Sequence, residues 1–138
     1  MPGSQVTEGG CLCGQVCYRF SGDPLLVAVC HCRHCQKQSG SAFGMVAAVP
    51  DAVFDLAGAV KVFHDKGETG RAVDRHFCPE CGSPILSRIA ALPGLTLIKA
   101  GTFDDPSRLA PSVEVYCDSA LSFVSAIQGA DRHARSNI

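Results

Sequence analysis

Nine cysteines in a chain of 138 residues are far above ordinary usage, and seven of them stand at spacings that suit metal ligation. They fall in three groups: Cys11-Leu12-Cys13, Cys30-His31-Cys32-Arg33-His34-Cys35, and Cys78-Pro79-Glu80-Cys81. A C-x-x-C turn points two thiolates at one ion while the backbone between them folds over the sulfurs, and Zn–S bonds of about 2.3 Å are met without strain. Gly82 supplies permissive backbone just behind Cys81. Cys11 and Cys13 must leave regular strand geometry to share an ion, since alternate residues of a strand point to opposite faces, and Gly10 and Gly14 on either side allow it. The two pairs together supply the four ligands of a closed tetrahedral site. Such a site clamps a loop of roughly sixty residues, so its binding energy becomes folding energy. The competing readings of these four are a redox C-x-x-C pair or buried free thiols.

The middle group offers Cys30, Cys32 and Cys35 on a polar stretch. Three protein ligands with one position left over is the pattern of a reactive zinc ion, whereas His31 or His34 in fourth place would close the site and make it structural. Seven sulfurs suit two separate ions better than one shared cluster. A zinc ion with three thiolates carries net negative charge and is a weak Lewis acid that activates hydroxide poorly. A further thiolate is its preferred fourth partner, which points to a sulfur-bearing small molecule. Cys17 and Cys117 lack spaced partners and read as small buried apolar residues. His64, His76 and His133 are isolated, and Arg33, Lys37, Lys66 and Arg71 read as solvated surface.

These ligands need elements to carry them. Residues 15–20 alternate, with Val16, Tyr18 and Phe20 on one face, which predicts a half-buried strand. The turn cluster Ser21-Gly22-Asp23-Pro24 follows, and a more apolar strand over 25–30 delivers the chain to Cys30. Residues 32–39 suit one helical turn or a loop, stopped by Gly40. Further strands are expected over 44–49, 52–56, 60–64, 71–77, 84–89, 95–100 and 113–117, with turns at Pro93-Gly94 and Asp104-Asp105-Pro106. Short strands at regular spacing mean an antiparallel all-β fold in a single domain. Residues 1–8 are expected as an N-terminal extension, 9–129 as the zinc-binding domain and 130–138 as a mobile tail. Net charge of −1 and a pI near 6.5 leave no footprint for a nucleic-acid or membrane partner. With no apolar run near the roughly 20 residues of a membrane span and no leader-like start, the expected location is the cytoplasm. There disulfides do not persist, which again favours metal.

The order C-x-C, then Cys30 to Phe43 reading C-H-C-x-x-C-Q-K-x-S-G-S-A-F, then Phe77 to Gly82 reading F-C-x-x-C-G, resembles the glutathione-dependent formaldehyde-activating family, also described through centromere protein V. The resemblance implies a β-tent of the Mss4-like kind, built of short antiparallel strands with zinc knuckles. It also implies a structural zinc on Cys11, Cys13, Cys78 and Cys81 and a catalytic zinc on Cys30, Cys32 and Cys35. The implied activity is that of a carbon–sulfur lyase, combining glutathione and formaldehyde to S-hydroxymethylglutathione or making and breaking a related thiol adduct. His31, His34 and Ser39 are the nearest groups in sequence able to move its proton. Family members commonly carry tryptophan in an aromatic cluster near the C-terminal strand, and this chain has none. The reading that competes with a lyase is a non-catalytic zinc module of the same fold that binds a protein or a thiol. A nucleic-acid-binding zinc ribbon is disfavoured by 12 basic against 13 acidic residues without clustering.

Overall fold

A computed structural model describes residues 5–138, and it is mostly β. Among the described residues, eleven strands form two sheets: β1 (Val6–Gly10), β2 (Cys17–Ser21), β3 (Leu26–Cys30), β4 (Gly44–Pro50), β5 (Phe54–Ala57), β6 (Lys61–Lys66), β7 (Ala72–Phe77), β8 (Pro84–Ile89), β9 (Leu95–Lys99), β10 (Val113–Val115) and β11 (Asp131–Arg132). The helix α1 (Arg33–Ser39) lies between β3 and β4, and its end is capped by the Gly40 N–H on the Gln36 carbonyl. The smaller sheet has the order β1-β2-β5, and the larger β11-β10-β3-β4-β9-β8-β7-β6. Among the described residues, no helix is long and apolar enough to cross a membrane.

The alternation read from residues 15–20 is what joins the sheets. Tyr18 and Phe20 are buried while Cys17, Arg19 and Ser21 are exposed, and with Val16 they pack against Val49, Ile85, Leu86 and Ile98 of the larger sheet. Register then fixes the opposite face of that sheet. Ala28, Val46 and Lys99 lie side by side on β3, β4 and β9, and Leu26, Ala48, Leu97, Ser87 and Arg75 form the next row across β3, β4, β9, β8 and β7. Because side chains alternate, the larger sheet has one face in the core and a second that floors a cavity.

Several expectations need correction. Residues 1–4 of the expected N-terminal extension lie outside the described residues, and from Val6 onward that segment is strand β1, paired antiparallel with β2. Its two glycines conceal it as a strand, yet close approach demands one of them: a Cβ on Gly9 would lie 2.3 Å from the Tyr18 hydroxyl oxygen. The pairing is also not antiparallel throughout, since β10 runs parallel to both β3 and β11. The long connection from Ala100 to Ser112 carries the chain across to the free edge of β3 in the same direction, as a parallel pair requires. The strand expected over 113–117 ends at Val115, because Tyr116 adopts a left-handed conformation with φ 55°. The segment expected as a mobile tail contains β11 and continues along β10: the N–H groups of Asp131 and His133 donate to Ser112 and Glu114, and those of Tyr116 and Cys117 donate to Arg135 and His133. A ladder of this kind depends on a partner edge, so the segment's own lack of periodicity does not forbid it.

Candidate metal centres

All nine cysteines are free thiols. The sulfurs of Cys11, Cys13, Cys78 and Cys81 lie within 4.8 Å of one another, and so do those of Cys30, Cys32 and Cys35. Both groupings read from the spacing are therefore brought together in space, and each can hold a metal ion.

The four-sulfur group sits between two facing turns. The Cys11 N–H donates to the Val16 carbonyl and the Gly14 N–H to that of Cys11, which closes the first turn. In the second, the Cys78 N–H donates to Ser83 and the Gly82 N–H returns to Cys78, with Gly82 at φ +77°, a conformation that glycine adopts without steric cost. The Leu12 N–H donates to the Ser83 hydroxyl at 3.1 Å and ties one turn to the other. The donor set fits a tetrahedral thiolate-binding ion: bonds of about 2.3 Å imply sulfurs about 3.8 Å apart, and the Cys11–Cys13 and Cys13–Cys78 separations are 3.5 and 3.7 Å. Protein donors already favour thiolate here. Burial raises Cys11, but the Val16 N–H at 3.2 Å and the neighbouring thiols hold it below the usual range. The Ser83 hydroxyl, 3.2 Å away, is the main cause that lowers Cys81 to about 5. A contact from the Gln15 backbone lowers Cys13, yet burial and the three surrounding sulfurs push it up to about 12. So crowded a group can ionise fully only around a cation.

The three-sulfur group is made by the end of β3 and the first turn of α1. The Cys32 sulfur caps that turn, accepting from the Cys35 N–H at 3.3 Å. β4 approaches Cys35 so closely that a Cβ on Gly44 would lie 3.2 Å from the Cys35 Cβ. The thiols of Cys30 and Cys35 stabilise Cys32 as thiolate and pull it far below the usual range. Cys30 is pushed far up by Cys32, by Cys35 and by burial. Contact with Cys30 lowers Cys35, but Cys32 and burial raise it on balance. Three sulfurs held this close together fit a thiolate-binding cation.

Neither histidine of the loop joins the three sulfurs. His31 is buried and turned away, with Nε2 2.8 Å from the Glu114 carboxylate, whose other oxygen accepts from the Ile127 N–H at 3.0 Å and the Arg132 guanidinium at 2.7 Å. His31, Glu114 and Cys117 form a third close group. The hydrogen bond from His31 and the two further donors on Glu114 account for it as an anchor of the ligand loop. The Gln36 side-chain amide adds to the anchor by donating to the His31 and Ser119 carbonyls. His34 stays half-exposed beside Asp65 and Glu68. The Ser39 hydroxyl donates to the Phe43 carbonyl at 3.2 Å and is a turn-forming group.

Beside the three sulfurs opens a cavity of about 220 Å3, lined by Cys30, Cys32, Cys35, Lys99, Ser87, Arg75, Tyr116 and the apolar face of the larger sheet. Lys99 is only 7% exposed and makes no ion pair with a carboxylate among the described residues. Burial lowers its pKa, and the Cys35 sulfur is the nearby charge that opposes this most. Arg75 is held at 2.9 Å by Asp65, whose carboxyl that contact keeps below the usual range. Sequence reasoning missed Lys99, Ser87, Arg75 and Glu114. Lys99 did leave a signal: it is the one charged residue in the mostly apolar stretch Leu95-Thr96-Leu97-Ile98-Lys99-Ala100.

A family model described as glutathione-dependent formaldehyde-activating enzyme matches residues 6–119. No curated protein matches this chain significantly. Among solved structures, a crystal structure of a Rhodobacter sphaeroides protein aligns with a TM-score of 0.55 at 17% identity, covering 75% of this chain and 91% of that one. At that identity the likeness is one of fold.

Proposed function

The chain belongs to the glutathione-dependent formaldehyde-activating enzyme family, and on that premise we propose that it is a zinc-dependent carbon–sulfur lyase acting on a small thiol adduct. The reaction joins or parts a thiol such as glutathione and formaldehyde or a related aldehyde. Cys11, Cys13, Cys78 and Cys81 hold a structural zinc, and Cys30, Cys32 and Cys35 hold a catalytic one. The observation that carries this reading is the three-sulfur group on the wall of a cavity, with both loop histidines outside it and a buried lysine alongside.

Zinc held by Cys30, Cys32 and Cys35 would supply the Lewis acidity to keep an incoming thiol deprotonated. The protein's residues do the rest. Glu114 and Gln36 lock the loop that presents the sulfurs, so the ligands are preorganised. The Lys99 ammonium faces the site from β9 and offsets negative charge on the aldehyde oxygen as the carbon–sulfur bond forms. The surrounding apolar face excludes water and strengthens that attraction.

The test is metal content per chain together with the rate of S-hydroxymethylglutathione formation. Two zinc ions and an acceleration over the spontaneous reaction are expected. Cobalt in place of zinc should give a thiolate absorption that changes when glutathione is added. An unchanged spectrum with no acceleration would overturn the reading in favour of a non-catalytic zinc module.

A further inference from the structure

Formaldehyde is not much larger than a water molecule, which occupies about 30 Å3 in the liquid. The cavity beside Cys30, Cys32 and Cys35 measures about 220 Å3, several times what such a substrate fills. Its floor is apolar and is set by register: Leu26, Ala48 and Leu97 lie side by side on three adjacent strands. Nothing in the fold of the core requires this, because the core is on the other face of the sheet.

The body of glutathione does not suit that floor. Its carboxylates and ammonium would lose their hydration against aliphatic side chains with too few partners to replace it. They are better served by the polar part of the lining, where His34 is half-exposed and Glu68, Arg71 and Asn137 are exposed. The hydrocarbon that the floor accommodates therefore belongs to the other reactant. A second observation marks where an oxygen would go. Ser87 is 4% exposed, on the cavity face next to Leu97, and its hydroxyl has no hydrogen-bond partner among the described residues. It lies diagonally from Lys99 on the neighbouring strand, and residues so placed are within reach of a common ligand.

We propose that the carbonyl partner is an aldehyde bearing an apolar chain, its chain on the Leu26–Ala48–Leu97 row and its oxygen directed to Lys99 and Ser87. This rests on the lyase reading above and narrows it. In the joining direction the thiol's proton passes to solvent, a sulfur lone pair forms the carbon–sulfur bond, the C=O π pair moves to oxygen, and that oxygen takes a proton from solvent. In parting, the hydroxyl proton goes to solvent, the pair left on oxygen closes the C=O π bond, and the carbon–sulfur pair leaves on sulfur, which takes a proton from solvent.

The test compares glutathione adducts of formaldehyde, butanal and hexanal on the zinc-loaded full chain, with calorimetric binding of hexanamide as a readout independent of turnover. Each methylene buried on the floor should raise kcat/KM about fourfold, and hexanamide should bind saturably. Ala48→Leu, which fills the floor without adding charge, should shift the preferred aldehyde to a shorter chain and weaken hexanamide at least about tenfold. Leu97→Asp should abolish hexanamide binding while both metals remain. A formaldehyde adduct processed as well as or better than the hexanal adduct overturns the proposal, as does hexanamide binding that Ala48→Leu leaves unchanged. Hexanamide binding without turnover of any adduct would sink the lyase reading and leave the ligand class of the cavity standing.

Discussion

The two centres differ by a single sulfur. In the three-sulfur group Cys30 and Cys35 are raised and hold their protons at neutral pH, so loading the metal must displace protons. Zinc affinity of that centre is expected to climb with pH across the neutral range, with proton release detectable by indicator dye during titration; a pH-independent affinity would refute the protonation pattern. Cys35→Ser should remove about one zinc per chain and abolish lyase activity while the fold persists. If two zincs remain by elemental analysis, the division of ligands is wrong. Lys99→Met tests the cation beside the site. Losing one preorganised donor to a developing oxyanion typically costs about 10²–10³ in kcat, and a drop of that order is expected with the metal content unchanged.

At the scale of elements, the four sulfurs come from the turn after β1 and the turn after β7, which a bound ion would clamp together. Cys78→Ser leaves a buried position without its ion and should cost at least about 3 kcal/mol, or roughly 10 °C in melting temperature; an unchanged melt would remove the structural role. Gly10→Ala probes the same clamp sterically, for its Cβ would meet the Val16 carbonyl oxygen at 2.3 Å, and a loss of about 1–3 kcal/mol is expected. These features were legible because short-range chemistry writes them: C-x-x-C-G is a local turn, and the Val16-Tyr18-Phe20 alternation is a local period. The placements of β1, β10 and β11 were not. Gly9 and Gly10 show no strand pattern, and β10 and β11 exist as strands by pairing with an edge that sequence order does not reveal. For the same reason Lys99 was visible as an oddity in an apolar strand, but its position beside Cys35 waits on the β4–β9 register. His31, which spacing left open as a fourth ligand, is claimed by Glu114, eighty-three residues away in sequence.

For the whole molecule, Glu114 is the junction. It is fully buried and accepts from the ligand loop through His31, from Ile127 and from Arg132 of β11. Burial raises its pKa, but these three partners bring it below the usual carboxylate range. The folded chain therefore takes up that proton less readily than the unfolded one. The stabilisation is complete above about pH 4.3, the ordinary glutamate value, and is lost as pH falls through the lowered folded value. Glu114→Gln should cost about 2–3 kcal/mol at neutral pH and converge on the parent below that window. Urea unfolding of both proteins from pH 7 to pH 3, with bound zinc measured at each pH, checks this; a gap that stays constant with pH while the two hold equal zinc would refute the charge network.

The two centres also differ in how much chain each needs. The three-sulfur group is complete within residues 30–35, whereas the four-sulfur group needs Cys81 as well as Cys11. During synthesis the ribosome exposes the first set of thiols while the partner turn of the second is still unmade. The thiols of the centre proposed for turnover thus emerge first, while Glu114, which anchors their loop, emerges after both sets of thiols, so holding that centre in shape waits on nearly the whole chain.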